Sequence, residues 1–333
     1  MDPVGIPLSL LPVLTFLGLL FGMDSFKLVP PRALARSLLA GCVAAALALW
    51  LNTLILQALA VELGVYRRYD APVLEELVKS LFVIFLIRTN RVGFMVDAAI
   101  HGFAVGAGFA LVENVHSLLT LGDSSIFLWI VRGFGTAVMH GSTMAIFATL
   151  SKSIADRRGG GARAYVPGLL AAILLHSLFN HFFLPPLAMT VLMLVVLPLL
   201  VILVFERSER VTRAWLGTGF DSHLELLECI WSGDVRDSRV GQYLQSLRGR
   251  FAPAVVGDML CYLQVYLELS MRAKAQLIAR QAGIQVARGA DVQENLSELH
   301  FLEKSIGRTG QLALQPLLGS TRREIWQLGT LEH

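Results

Sequence analysis

The stretch 74–87, LEELVKSLFVIFLI, sets two adjacent carboxylates and a lysine at the mouth of an apolar helix. An ionisable side chain inside a membrane span costs about 2.5–3.5 kcal/mol, so such groups are usually paired or functional. Glu75 and Lys79 lie one turn apart and can pair, whereas Glu76 points about 100° away and needs another partner. A charged collar at the membrane surface would explain this stretch alone. The polar residues of the other apolar runs argue for more.

Of the 333 residues, 55% are hydrophobic and 16% charged, and the mean hydropathy is +0.62. That balance is too apolar for a soluble chain of this length. Seven apolar runs, at about 7–22, 33–63, 73–87, 95–121, 126–151, 165–184 and 187–205, read as spanning helices. The leader before the first run lacks the positive charge of a signal peptide, so that run is expected to stay as a span. Pro185 and Pro186 divide the last two. Lys27, Arg32, Arg88, Arg91, Lys152, Arg157, Arg158 and Arg163 fall in alternate loops, and Arg207, Arg210 and Arg213 follow the last run. Only Arg67 and Arg68 lie in the opposite loops. The positive-inside rule then puts the N-terminus outside and the C-terminal region in the cytoplasm.

The expected fold is therefore all-α: a polytopic membrane helical bundle over 1–206 and a cytoplasmic helical domain over 207–330. The run around Met259, Leu263 and Leu267 is interrupted by Asp258, Gln264 and Glu268, which reads as an amphipathic helix of that domain and not an eighth span. The domain is either a docking or regulatory module or a support for the fold. Residues 331–333, Leu-Glu-His, look like a tag remnant. Cys42, Cys229 and Cys261 form neither a disulfide framework nor a metal motif, and no nucleic-acid motif or phosphate loop is present.

The fourth run carries Asp97, His101, Glu113, Asn114 and His116, the fifth Arg132 and His140, and the sixth His176, Asn180 and His181. A lone intramembrane histidine is more often a packing residue than a ligand, but several in consecutive spans shift that balance. A rise of about 1.5 Å per residue puts Glu75, Glu76, Glu113, His140, His176 and Asn180 at one level in the outer half of the bilayer, with His101 in the inner half. Glu113 and His116 share a helix face, as do His176 and Asn180. The rows Gly102, Gly106, Ala110 and Gly133, Ala137, Gly141 are read as close-packing seams.

Carboxylate, histidine and asparagine together suit acyl hydrolysis. A glutamate activates water as general base, and each oxyanion donor contributes about 10²–10³ in rate. The same atoms can instead hold zinc, with His140, His176 and Glu113 as candidate ligands and one position open to water. No HExxH motif decides between these chemistries.

Glu75-Glu76-Leu-Val-Lys79 resembles the EExxK signature of the PrsW family of intramembrane proteases, and residues 108–114, GFALVEN, resemble its GFAxxEN element. His140 and the His176…Asn180 pair resemble the later histidine and HxxxN elements, in family order. The family is similar to the CAAX prenyl proteases and, more distantly, to the scaffold subunit of gamma-secretase. The resemblance implies an endopeptidase of a bacterial cytoplasmic membrane. Its substrate would be a membrane protein of the anti-sigma-factor kind, cut near the outer face. Glu75, Glu76, His140, His176 and Asn180 would be catalytic, with Lys79, Glu113, Asn114 and His116 in support and Glu75 favoured as the base. The competing class is a non-catalytic membrane scaffold or sensor. A homo-oligomer is compatible with the sequence, and nothing in it names a partner for the cytoplasmic domain.

Overall fold

The computed structural model describes residues 5–59, 61–120, 126–158, 161–181, 183, 185–284, 291–318, 326–329 and 331. It contains no strand among the described residues and divides into two compact units, Met1–Glu209 and Arg210–His333.

In the first unit the helices are α1 (Gly5–Gly22), α2 (Pro31–Leu59), α3 (Leu63–Arg88), α4 (Met95–Thr120), α5 (Ile126–Ile130), α6 (Ala137–Arg158), α7 (Val166–Asn180) and the first part of α8 (Pro186–Trp231). A π-helical turn, Val131–Thr136, joins α5 to α6. Helix α3 starts ten residues before the expected run, so Arg67 and Arg68 sit on a helix and not in a loop. Helix α8 runs on for 46 residues, past the expected domain boundary at 206. Four helices are long and apolar enough to cross a membrane: Pro31–Leu59, Met95–Thr120, Ala162–Asn180 and Pro253–Gln281. Two shorter apolar helices are Ile6–Gly22 and Leu187–Val196. Helix α3 is outside that group, carrying Arg67, Arg68, Asp70, Glu75, Glu76 and Lys79 within 13 residues.

Helix α4 is the axis of this unit, with α1, α2, α3 and α6 packed around it. It is apolar on nearly every side, and 83% of its most apolar window is buried. Small residues let its neighbours come close. A Cβ on Gly106 would lie 2.0 Å from the His140 carbonyl oxygen, and one on Gly102 would lie 2.4 Å from that of Met144. On the opposite seam, a Cβ on Gly108 would meet the Leu38 carbonyl at 2.0 Å. The second glycine row is not one seam: Gly133 abuts Leu8 of α1, and Gly141 abuts the Phe103 ring of α4. Gly106→Ala is expected to force α6 away at His140 and cost about 1–3 kcal/mol. A lowered unfolding midpoint, with Gly18→Ala as the neutral control, is the check; a Cβ on Gly18 would meet nothing within 4 Å.

Two polar residues of α4 serve its N-terminal part. The Asp97 carboxylate accepts from the backbone N–H of Gly93 and Phe94, each at 2.7 Å, closing the first turn. His101 Nδ1 shares a 2.8 Å hydrogen bond with Ser37 of α2.

The second unit holds the end of α8, α9 (Arg239–Leu247), α10 (Pro253–Gln281) and α11 (Asp291–Leu318). Helix α10 has the apolarity of a span, but its Met259, Leu263 and Leu267 are fully buried in a core shared with Leu299 and Leu302 of α11. Buried Lys274 places Nζ 3.2 Å from His223 Nδ1 and over the Trp215 ring. Burial and that lysine push His223 down to about 4. Leu331 also packs into this core, although it was expected to belong to a tag remnant; Glu332 and His333 lie outside the described residues.

Candidate active site

Five segments converge on one polar cluster. Helix α3 brings Glu75, Glu76 and Lys79, and α4 brings Glu113. Arg132 comes from the π-turn, His140 from α6 and His176 from α7. Glu76 and Lys79 are completely buried and paired, with Nζ 2.5 Å from Oε1. This corrects the expected Glu75–Lys79 pair. Both spacings put the side chains on one face of α3, and the neighbours decide. Glu76 and Lys79 face the histidines of α6 and α7, whereas Glu75 turns to α2.

Glu76 Oε1 also accepts from His176 Nδ1 at 2.8 Å and from Thr143 Oγ1 at 3.4 Å, while Oε2 is buried without a partner. Lys79 donates to His140 Nδ1 at 2.9 Å and lies 4.6 Å from the centre of the Phe109 ring. An ammonium only donates, so His140 Nδ1 is the acceptor and its Nε2–H donates to Glu113 Oε2 at 2.7 Å. Arg132 Nη2 donates to Glu113 Oε1 at 3.1 Å. By the same reasoning His176 donates through Nδ1 to Glu76, which leaves the Nε2 lone pair free. That nitrogen faces Glu75 Oε2 across 3.8 Å, wider than a hydrogen bond.

Glu75 differs from the other two carboxylates. No cation among the described residues bonds to it, and at 16% its exposure lies between that of Glu76 (0%) and Glu113 (32%). Its Oε1 accepts from Asn52 Nδ2 at 3.2 Å, and Asn52 Oδ1 accepts from the Tyr66 hydroxyl at 2.7 Å. Each of Glu75, His140 and His176 can offer one ligand atom, all within 4.8 Å of one another. Three glutamates face two cations, Lys79 and Arg132, among the described residues, and the donor set suits a divalent metal. The expected set had Glu113 where the geometry has Glu75; both Glu113 oxygens are engaged, Oε1 by Arg132 and Oε2 by His140.

Three expected residues are placed elsewhere. Asn180 Nδ2 donates to the Arg67 carbonyl at 2.9 Å, and Ser177 Oγ donates to that of Arg68 at 2.6 Å. These two bonds fasten α7 to the start of α3 and so set His176 against Glu76. Asn114 is buried and donates to the Ser9 carbonyl at 2.8 Å, tying α1 to α4. His116 is exposed, pointing away from the cluster that its neighbour Glu113 joins.

A family model of the PrsW family intramembrane metalloproteases matches residues 29–204, more than half of the chain. The chain belongs to that family. It is thus a multi-pass membrane protein with a membrane-protease domain, and the PrsW match takes in every residue of the cluster. No curated protein and no solved structure matches the chain. Helix α1 and the second unit lie outside the PrsW match.

Arg132, Asn52, Tyr66 and Thr143 were not among the expected site residues. Arg132 stood out in the sequence only as a charge in an apolar run. The π-turn, which adds a residue to one turn of helix, aims it at Glu113. Arg132→Gln should lower kcat/KM about tenfold, as the loss of one charge-assisted hydrogen bond does. Arg132→Lys should recover part of it. Steady-state kinetics on the same substrate provide the check, and equal rates for all three would leave Arg132 no part in the reaction.

Proposed function

We propose that this chain is an intramembrane endopeptidase that hydrolyses a peptide bond of a membrane protein near the outer membrane face. The observation that carries the reading is the gap between Glu75 Oε2 and His176 Nε2, bounded by the one site carboxylate that no cation holds. In this reading a water placed there gives its proton to Glu75, which later passes it to the leaving amine. Glu76 holds His176 in one tautomer, and Lys79 and Glu113 hold His140 from both sides. Asn52 and Tyr66 fix the orientation of Glu75.

Glu75, His140 and His176 would hold a zinc ion, His140 through a ring nitrogen freed by giving up its bond to Lys79 or to Glu113. When bound, zinc would polarise the scissile carbonyl and make the water more acidic. Glu75 would use one carboxylate oxygen to hold the ion and keep the other for the proton, which would require releasing Asn52. Incubation with a strong chelator should abolish turnover, and added zinc should restore it. Elemental analysis should find about one zinc per wild-type chain, as expected for a single three-residue site, and none in His176→Gln. Full activity in a metal-free preparation would leave the glutamate chemistry alone.

The distribution of Lys and Arg supports about seven spans, an outside N-terminus and a cytoplasmic second unit in a bacterial inner membrane. An anti-sigma-factor-like substrate fits a cut on the outer side. The deciding experiment compares new protein N-termini in membranes carrying the wild type or a folded Glu75→Gln variant. Fragments present only with the wild type, cut near the outer face, support the reading. Identical profiles would return the chain to the scaffold class, which the family match does not favour.

A further inference from the structure

Helices α2 and α3 enclose an open groove of about 510 Å³ that the reaction as described does not use. Its walls are Leu39, Val43 and Leu47 of α2 and Val78, Leu81 and Phe82 of α3, and Ala40 also lines it. Arg36 is the one charged lining residue. Leu39, Val43 and Leu81 are 65%, 62% and 63% exposed, so these walls are not part of the protein core.

The two helices that wall the groove also carry Asn52 and Glu75. Val78 lies three residues after Glu75, on the same face of α3. On the other wall, Asn52 stands about 7.5 Å beyond Leu47 along α2 and bonds Glu75. Arg36 to Asn52 is about 24 Å of helix, most of the thickness of a bilayer's hydrocarbon core. Leu39, Val43 and Leu47 form one i, i+4 ridge, the surface against which a second helix packs.

We propose that this groove is the docking surface for the apolar transmembrane helix of the substrate, which reaches Glu75 at the Asn52 end. The inference rests on the protease reading and adds where the substrate lies. Arg36 has no ion pair among the described residues, so it favours a neutral or acidic residue on the docked helix at its depth and disfavours a basic one.

The test uses the full-length chain in bilayer nanodiscs. A photocross-linking residue replaces Val43 in the groove or Leu174, which is 68% exposed on α7. Both carry Glu75→Gln. The probe is a synthetic single-span peptide of about 20 leucine and alanine residues. Adducts with the peptide at position 43, absent at 174 and abolished by Ala40→Trp, are expected. Equal adducts at both positions, or adducts with lipid alone at 43, would overturn the proposal. In the wild type, Ala40→Trp should raise KM about tenfold for the membrane-embedded substrate found by the terminus comparison. It should leave cleavage of a short soluble peptide of the same cut segment unchanged. Equal loss on both substrates, or on neither, would also overturn it. Specific capture at 43 by a chain that cleaves nothing would leave the docking surface standing and remove the protease reading.

Discussion

Glu75→Gln is expected to lower turnover by about 10²–10⁴-fold, the range contributed by a positioned general base. The unfolding midpoint should stay close to that of the wild type. The amide has the shape of the carboxylate, and its oxygen can still accept from Asn52. The side chain is partly exposed, so no buried charge loses its counter-ion. What disappears is the capacity to take a proton from water or to bind a cation with His176. The measurement pairs single-turnover cleavage with thermal unfolding in one detergent. Turnover near that of the wild type would remove Glu75 from the chemistry, and a collapsed midpoint would make it a structural residue.

Lys79→Met should do the opposite, acting first on stability. Removing one member of a buried ion pair costs about 3–5 kcal/mol, because the remaining charge stays in a medium that cannot solvate it. Here Glu76 would retain only His176 and Thr143, and His140 would lose its donor at Nδ1. Glu76→Gln should also destabilise strongly, by leaving the ammonium with an amide and an imidazole. The double variant should lose much less than the sum of the two, since neutral groups of similar volume then face each other. Denaturant unfolding of the four proteins yields the coupling energy. Additive losses would show that Glu76 and Lys79 do not act as a pair.

The sequence revealed the site's principal groups because they come in short, ordered clusters on helices whose period is known. Glu75, Glu76, Lys79, Glu113, His140 and His176 all meet. It did not reveal which groups bond. Glu75 and Glu76 both have helical spacing to Lys79, and the choice depends on helices about 60 and 100 residues away. Asn180 shares a turn with His176 but turns to a backbone carbonyl of α3, a partner with no signature in side chains. His116 shows the limit of face arguments: three residues from Glu113, it still falls outside the packed arc. The π-turn that aims Arg132 has no spacing rule by which to foresee it. Spans were harder still. Helix α10 passes a test of length and apolarity yet serves a core with α11, and α3 lies at the centre of the site without passing.

The pairing of Glu76 with Lys79 within a single helix also bears on how the protein is made. A helix that carries its own counter-ion needs no later segment to neutralise that charge, so Glu76 is paired before α6 and α7 exist. Glu113 is different, because both of its partners, Arg132 and His140, come from segments synthesised after α4. Between the emergence of α4 and the arrival of the π-turn, that carboxylate has no partner on its own helix. The nascent chain is therefore vulnerable to misinsertion and to quality-control proteases at α4, a helix that the finished protein buries deeply.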